Sequence, residues 1–210
     1  MNLARTWLAC LFVALLAGCA ADPPSKTDNI CTVFEQNPKW YDWARASQKK
    51  WGTPIPIQIA FVRQESAFKS KAKPAREWFL FIPLGRPSSA KGYAQAQDPV
   101  WKEYKKERGG LFKSRTDMKD ALDFIGWYNH RSNRRLGIAK TNARHLYYAY
   151  HEGHGGYKRG SYRNKPQLQR VSSRVANTAQ QYTAQLKKCE KRFRCRHWWQ
   201  FWPFCRKGKD

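Results

Sequence analysis

The chain reads as a mainly α-helical fold with one small irregular or β insertion. Three observations predict this. Apolar residues recur at helical spacing through most of the chain. Asn-Pro, Asp-Pro and Pro steps open these segments and glycines close them. Only residues 69–97 break the rhythm, and they follow directly on the most apolar helix.

The first residues stand outside this pattern. Arg5 precedes an apolar run, Trp7 to Ala17, that is too short to span a bilayer as a finished helix. The run ends Leu15-Leu16-Ala17-Gly18-Cys19, small residues followed by cysteine. This resembles the bacterial lipobox, which implies cleavage before Cys19 and lipidation of its thiol and new amino terminus. Residues 1–18 are then a lipoprotein signal peptide. An ordinary secretory signal cut elsewhere is the alternative. Ala20 and Ala21 follow the cysteine with no Asp directly after it. In lipoproteins of double-membraned bacteria that pattern implies the outer membrane, facing the periplasm. Loss of Arg5 with the signal takes the formal charge from +25 to +24. About 190 residues remain, enough for one domain with its own core.

Residues 19–36 read as a tether, because Pro23-Pro24-Ser25 and the polar residues after it offer little to bury. Asn37-Pro38 supplies an N-cap and a first helical position, and Trp40, Trp43, Ala44, Ser47 and Trp51 follow before Gly52. Pro54 and Pro56 introduce a helix ending at Glu65, apolar on most faces and therefore central. Beyond it, Trp78-Phe79-Leu80-Phe81-Ile82 suits a buried strand or a packed loop. Asp98-Pro99 starts a helix that Gly109-Gly110 ends. Thr116 caps a helix carrying Met118, Ala121, Leu122, Ile125 and Tyr128. Thr141 caps another with Leu146, Tyr147 and Tyr150, stopped by Gly153. Pro166 opens a long last helix with Leu168, Val171, Val175, Tyr182 and Leu186 on one stripe. The main domain spans 37–190. Residues 191–210 form a basic, Trp-rich tail.

Composition limits the function. The chain has 40 basic against 15 acidic residues. Such an excess often marks a nucleic-acid partner, but an export signal argues for no nucleic acid here. Outside the cytoplasm the available polyanions are lipid headgroups, lipopolysaccharide phosphates and cell-wall peptide carboxylates. Cys10 leaves with the signal and Cys19 is the lipid site. Cys31, Cys189, Cys195 and Cys205 then suggest two disulfides, with three possible pairings. We favour Cys31–Cys189, stapling the ends of the domain, and Cys195–Cys205, closing a short loop. A zinc site is the rival, but the spacings do not match the usual tetrads. Trp198, Trp199 and Trp202 among basic residues suit a membrane interface, a sugar face or a flap over the core.

Because acids are scarce, the position of each matters. Glu65 ends the apolar helix, with Phe61 at i−4, Val62 at i−3 and Phe68 at i+3. A carboxyl packed among such groups loses hydration, so its pKa rises, and a raised-pKa carboxyl is suited to general-acid chemistry. Asp98, Asp117, Asp120 and Asp123 lie in polar helix starts and offer no convincing second catalytic acid. His151-Glu152-Gly153-His154 lacks the spacing that places two histidines on one helical face, so no metal and no cofactor is expected.

Three segments then occur in order: Gln64-Glu65-Ser66; Ala90-Lys91-Gly92-Tyr93-Ala94-Gln95; and Ala149-Tyr150-His151-Glu152-Gly153. Together they resemble the soluble-type lytic transglycosylases, over roughly residues 40–190. That family has a Glu-Ser at the end of a buried helix, then Gly-Leu-Met-Gln, then Ala-Tyr-Asn-Ala-Gly. The resemblance implies a lysozyme-like α (α+β) fold and a substrate of peptidoglycan glycan strands. It implies Glu65 as the acid/base, with Gln95 and Tyr150 holding the glycan or the carboxyl and Ser66 as a weaker candidate. Tyr93-Ala94 stands where the family has Leu-Met, and His151-Glu152 where it has Asn-Ala, so the sugar contacts at Tyr93, His151 and Glu152 differ from the family's pattern. The implied reaction cleaves the bond between N-acetylmuramic acid and N-acetylglucosamine with a 1,6-anhydro product. If Glu152 positions a water, a hydrolytic muramidase results; a structural ion pair is the other reading of Glu152. An envelope lipoprotein that binds anionic glycan or lipid without chemistry is the alternative from a different class.

Overall fold

A computed structural model describes residues 22–194, with backbone alone at 77–79 and 82–84. The signal peptide, Cys19, the Cys195–Cys205 pairing and residues 195–210 of the Trp-rich tail lie outside the described residues, whereas residues 191–194, expected to begin that tail, are the last turn of the final helix. Within them the chain is mainly helical, with seven α-helices and one two-stranded hairpin. No helix among them is long and apolar enough to cross a membrane.

The folded body begins earlier than residue 37. Helix α1 (Ile30–Gln36) starts at Asn29, whose side chain accepts from the Cys31 and Thr32 amides. Its Ile30, Val33 and Phe34 are fully buried. The expected tether over 19–36 is therefore shorter, because these three apolar side chains dock at helical spacing on the last helix. Helix α2 (Pro38–Trp51) opens on proline and stops at Gly52 in a left-handed conformation (φ 83°), as expected.

Helix α3 (Ile55–Ser66) is the central element. Every residue from Ile55 to Val62 is buried, and each large apolar side chain so placed contributes about 1.5–3 kcal/mol. Pro56 is harmless in the first turn, where the amide has no helical partner. The helix ends abruptly: Ala67 (φ 48°) and Phe68 (φ 62°) are both left-handed, a conformation costly for residues with a Cβ. Phe68 is fully buried and stacks on Trp40 at 5.7 Å between ring centroids, which offsets that strain. The turn leaves Glu65 in the last turn of a buried helix.

The insertion holds strands β1 (Glu77–Phe79) and β2 (Ile82–Gly85), paired antiparallel with Phe79 opposite Ile82. Leu80 and Phe81 form its tip and are 77% and 92% exposed. The expectation that this aromatic run is wholly buried is corrected, because a tight turn places these two side chains beyond any packing partner. Between the hairpin and the next helix the backbone folds back on itself, with Lys91 bridged to Ala96. The Gly92 amide donates to Ala72 O, and the Tyr93 amide to Arg115 O. Gly92 (φ 79°) is required there, since a Cβ would overlap the Arg115 carbonyl.

Helix α4 (Asp98–Arg108) runs between the expected Asp-Pro and Gly-Gly signals. Helix α5 (Met118–Leu136) is capped by Asp117, not Thr116, and α6 (Ala143–Lys158) by Asn142, not Thr141. In each case the carboxylate or amide one residue later reaches the exposed amide three positions on. Gly153 does not stop α6; it kinks it (φ 72°, ψ 162°), and the helix resumes to Lys158. A 3₁₀ turn (Ser161–Asn164) leads to α7 (Pro166–Arg194), whose Leu168, Val175, Tyr182 and Leu186 are buried. Helix α3 packs against α2, α5 and α7, and α7 also covers α1 and α6. A Cys31–Cys189 disulfide joins α1 to α7, as favoured.

Candidate active site

The site is built where the end of α3 meets α6. Tyr147 and Tyr150 stand at i and i+3 on α6, and both rings meet Phe61 edge-on at 5.3 Å. Glu65 lies one turn beyond Phe61, so its carboxyl arrives between these two tyrosines. The Tyr147 hydroxyl hydrogen-bonds it. The Tyr150 hydroxyl instead donates to Ala94 O at 2.5 Å, tying α6 to the Gly92–Gln95 segment. The three separated sequence segments thus converge.

Glu65 is half-buried. Burial pushes its carboxyl up to about 7, while the Tyr147 hydroxyl pulls it down. No cation is among the groups that shift it, although the chain carries 40 Lys and Arg. The surroundings that matter are aromatic. At neutral pH such a group divides between acid and carboxylate, which suits one residue that first gives a proton and then takes one.

A cavity of about 240 Å³ opens on the far side of Tyr150, which is one of its walls. Gln95, Phe124, Tyr128, Tyr150, His151 and Gly153 are among its lining residues. Gln95 holds a left-handed backbone (φ 46°). Its amide nitrogen donates to Ala72 O at 3.0 Å and Gly92 O at 2.8 Å, which fixes the side chain and leaves its oxygen to accept from a ligand hydroxyl. His151 is exposed at the rim.

Two expected contact residues do not face the cavity. Ser66 is 6% exposed, and its hydroxyl donates back to Val62 O at 3.1 Å, so it completes the helix end and is not offered to a glycan. Tyr93 is 2% exposed, meets Trp40 edge-on at 5.8 Å and bonds Ser70. It is a core residue, because the close Gly92 turn directs it inward.

Glu152 lines the cavity, but its side chain is only 5% exposed. Both of its oxygens lie 2.9 Å from Lys165 Nζ; one also accepts from Ser161 and the other is 3.0 Å from His151 Nδ1. Burial alone would raise its pKa, yet Ser161, Lys165 and His151 together hold it down at about 2. These contacts make a structural ion pair of Glu152 and leave its oxygens occupied. The remaining candidates are occupied as well. Asp98 pairs with Arg115, Asp117 caps α5, Asp120 binds Lys113, and Asp123 accepts from Lys50, Trp51 and Tyr104. Among the described residues no group of three His, Cys, Asp or Glu is placed to hold a metal. His154 stacks on Tyr128 at 4.5 Å and bonds Ser132, and burial holds its imidazole down at about 4.

Sequence reasoning missed Tyr147 as a partner of Glu65, and Phe124 and Tyr128 as cavity walls. Tyr147 and Tyr128 read as helix-core residues, which they also are. The i, i+3 relation of Tyr147 to Tyr150 was the available signal. A family model described as Transglycosylase SLT domain matches residues 7–189. No curated protein and no solved structure matches the chain.

Proposed function

The chain belongs to the transglycosylase SLT domain family, and from that premise we propose that it cleaves the β-1,4 bond between N-acetylmuramic acid and N-acetylglucosamine. Membership supports a peptidoglycan-cleaving function of the lytic transglycosylase type in general. The finer reading rests on one observation: a single desolvated carboxyl, raised to about 7, stands against Tyr147 and near Tyr150, a wall of the cavity, and the other carboxylate that lines this cavity is held in an ion pair.

Ordinary glycosidases need two carboxylates, one acid and one nucleophile or base. Here the substrate supplies the second group. Glu65 gives its proton to the glycosidic oxygen as the bond to the muramyl anomeric carbon breaks. The muramyl 6-hydroxyl oxygen bonds to that carbon, and its proton passes to the Glu65 carboxylate. The acid is restored, the products are a free 4-hydroxyl and a 1,6-anhydro sugar, and no water is consumed. Gln95 and the rim at His151 bind the glycan. Tyr147 holds the Glu65 carboxyl, and Tyr150 fixes the wall that carries Gln95.

The same reading places the protein in the cell envelope, anchored through a lipid on Cys19 in the outer membrane and facing the periplasm. The Cys31–Cys189 disulfide supports an oxidising compartment. The test is to incubate residues 20–210 with purified sacculi and weigh the released muropeptides by mass spectrometry. Anhydro products are expected. Hydrated reducing ends would assign a muramidase, and co-sedimentation without release would assign a binding protein.

A further inference from the structure

A second opening lies away from the cavity beside Gln95. It is a groove of about 790 Å³ between the C-terminal turns of α3 and the first half of α7. Arg63 and Gln64 line it from α3; Arg170, Ser173, Arg174 and Asn177 line it from α7. Three guanidinium groups share this groove with amides and hydroxyls, and no acidic side chain lines it. Arg63 lies over the Tyr182 ring at 6.0 Å and bonds its hydroxyl, which fixes the guanidinium at the wall. Among the described residues no carboxylate pairs with Arg63, Arg170 or Arg174. Arg115, Arg131, Arg192, Lys50 and Lys113 have carboxylate partners, and with 40 basic against 15 acidic residues many other cations go without one; what sets these three apart is that one groove gathers them.

We propose that this groove binds the peptide stem of peptidoglycan through its free carboxylates. The inference rests on the murein reading above and deepens it. The groove reaches Gln64, the residue before Glu65 in the last turn of α3, and it shares no lining residue with the cavity at Gln95, so a stem in it would occupy ground separate from the glycan. Length agrees. From Pro166 to Gln181 the helical wall rises about 22 Å, and an extended four-residue stem spans about 14 Å. Chemistry agrees too. A guanidinium matches a carboxylate with two parallel hydrogen bonds, and the neighbouring amides and hydroxyls suit peptide groups. Three cations in one groove repel each other until an anion enters, which favours occupation. Peptide-bearing strands would then be held with the scissile bond at Glu65.

Two measurements test this, both using the double variant Arg170→Gln/Arg174→Gln, whose altered side chains are exposed. The first titrates L-alanyl-γ-D-glutamyl-meso-diaminopimelyl-D-alanine into the protein by NMR. The parent should saturate, and the double variant should bind at least about tenfold more weakly, as expected for lost hydrogen bonds to charged groups. The second compares cleavage of intact sacculi with cleavage of glycan strands stripped of peptide by an amidase. The double variant should lose about tenfold on sacculi and match the parent on stripped strands. Peptide binding that ignores the substitutions, or equal loss on both substrates, overturns the proposal. Binding to phosphatidylglycerol vesicles that is lost in the variant, without peptide binding by the parent, would assign the groove to lipid headgroups and also overturn it. If the parent cleaves no glycan at all, the enzymatic reading fails, while the peptide titration still decides the groove.

Discussion

The Tyr147 hydroxyl hydrogen-bonds the Glu65 carboxyl, and it is the one polar group opposing the burial that raises this acid. A bond to the charged form favours that form. Tyr147→Phe should therefore push the Glu65 pKa above about 7. The falling alkaline limb of kcat/KM should move to higher pH, by up to about one unit. Glycan release measured from pH 5 to 9 checks this. A limb that stays in place or moves to lower pH removes Tyr147 from the site.

Glu65→Gln removes the proton that the leaving oxygen needs, so release of anhydro muropeptides should fall at least about a hundredfold. Stability should move the opposite way. The folded pKa of Glu65 lies above its ordinary value, so its contribution is fully present below about 4.5 and is lost as pH rises through about 7. Above that, the wild-type protein holds a desolvated charge that glutamine does not. The variant should be the more stable at pH 8.5, by up to about 3 kcal/mol, and no more stable at pH 4. Urea unfolding at the two pH values gives the comparison. Retained activity in this variant would move the acid elsewhere.

Glu152 and Gly153 act on the shape of α6. Glu152→Gln weakens charged bonds to Lys165 and Ser161 and should cost about 2 kcal/mol. Its folded pKa is depressed, so the stabilisation is present above about 4.5 and disappears as pH falls toward about 2. Products should remain anhydro sugars. Gly153→Ala should cost about 1–3 kcal/mol through backbone strain alone, because a Cβ there meets nothing within 4 Å. A Glu152→Gln protein that keeps its melting temperature yet loses a hundredfold in rate would make Glu152 catalytic after all.

Much of this arrangement was legible in the chain. Helix α3 announced itself through Pro54, Pro56 and an unbroken apolar run, and a lone acid at its end marked the candidate site. Glu65 could be singled out because desolvation follows from neighbours at i−4 and i+3, which are local. Errors arose where the deciding contact was distant. Ser66 and Tyr93 lie in the recognised segments, yet one bonds its own helix and the other packs on Trp40, 53 residues away. Leu80 and Phe81 are apolar but occupy a turn, and turn geometry outranks side-chain type. Caps slipped by one residue because Thr116 and Asp117, or Thr141 and Asn142, offer equivalent acceptors. The α3–α7 groove was invisible because its three arginines are charges like many others until two helices place them together.

The Cys31–Cys189 bond joins residues 158 apart in sequence, and the span it closes holds nearly the whole domain. Constraining so long a loop in the unfolded chain is worth about 5 kcal/mol in the chain-entropy model. Helix α1 has only 7 residues and is held through Ile30, Val33, Phe34 and this bond. The double variant Cys31→Ser/Cys189→Ser should unfold at markedly lower denaturant, and reductant should lower the parent to about the same midpoint. Glu65, Tyr147 and Tyr150 lie on other elements, so the folded fraction should keep its specific activity. If reduction leaves the midpoint unchanged, the contacts of α1 with α7 hold the two ends together without the bond. If it abolishes activity while the fold persists, the bond bears on the α3–α6 site itself.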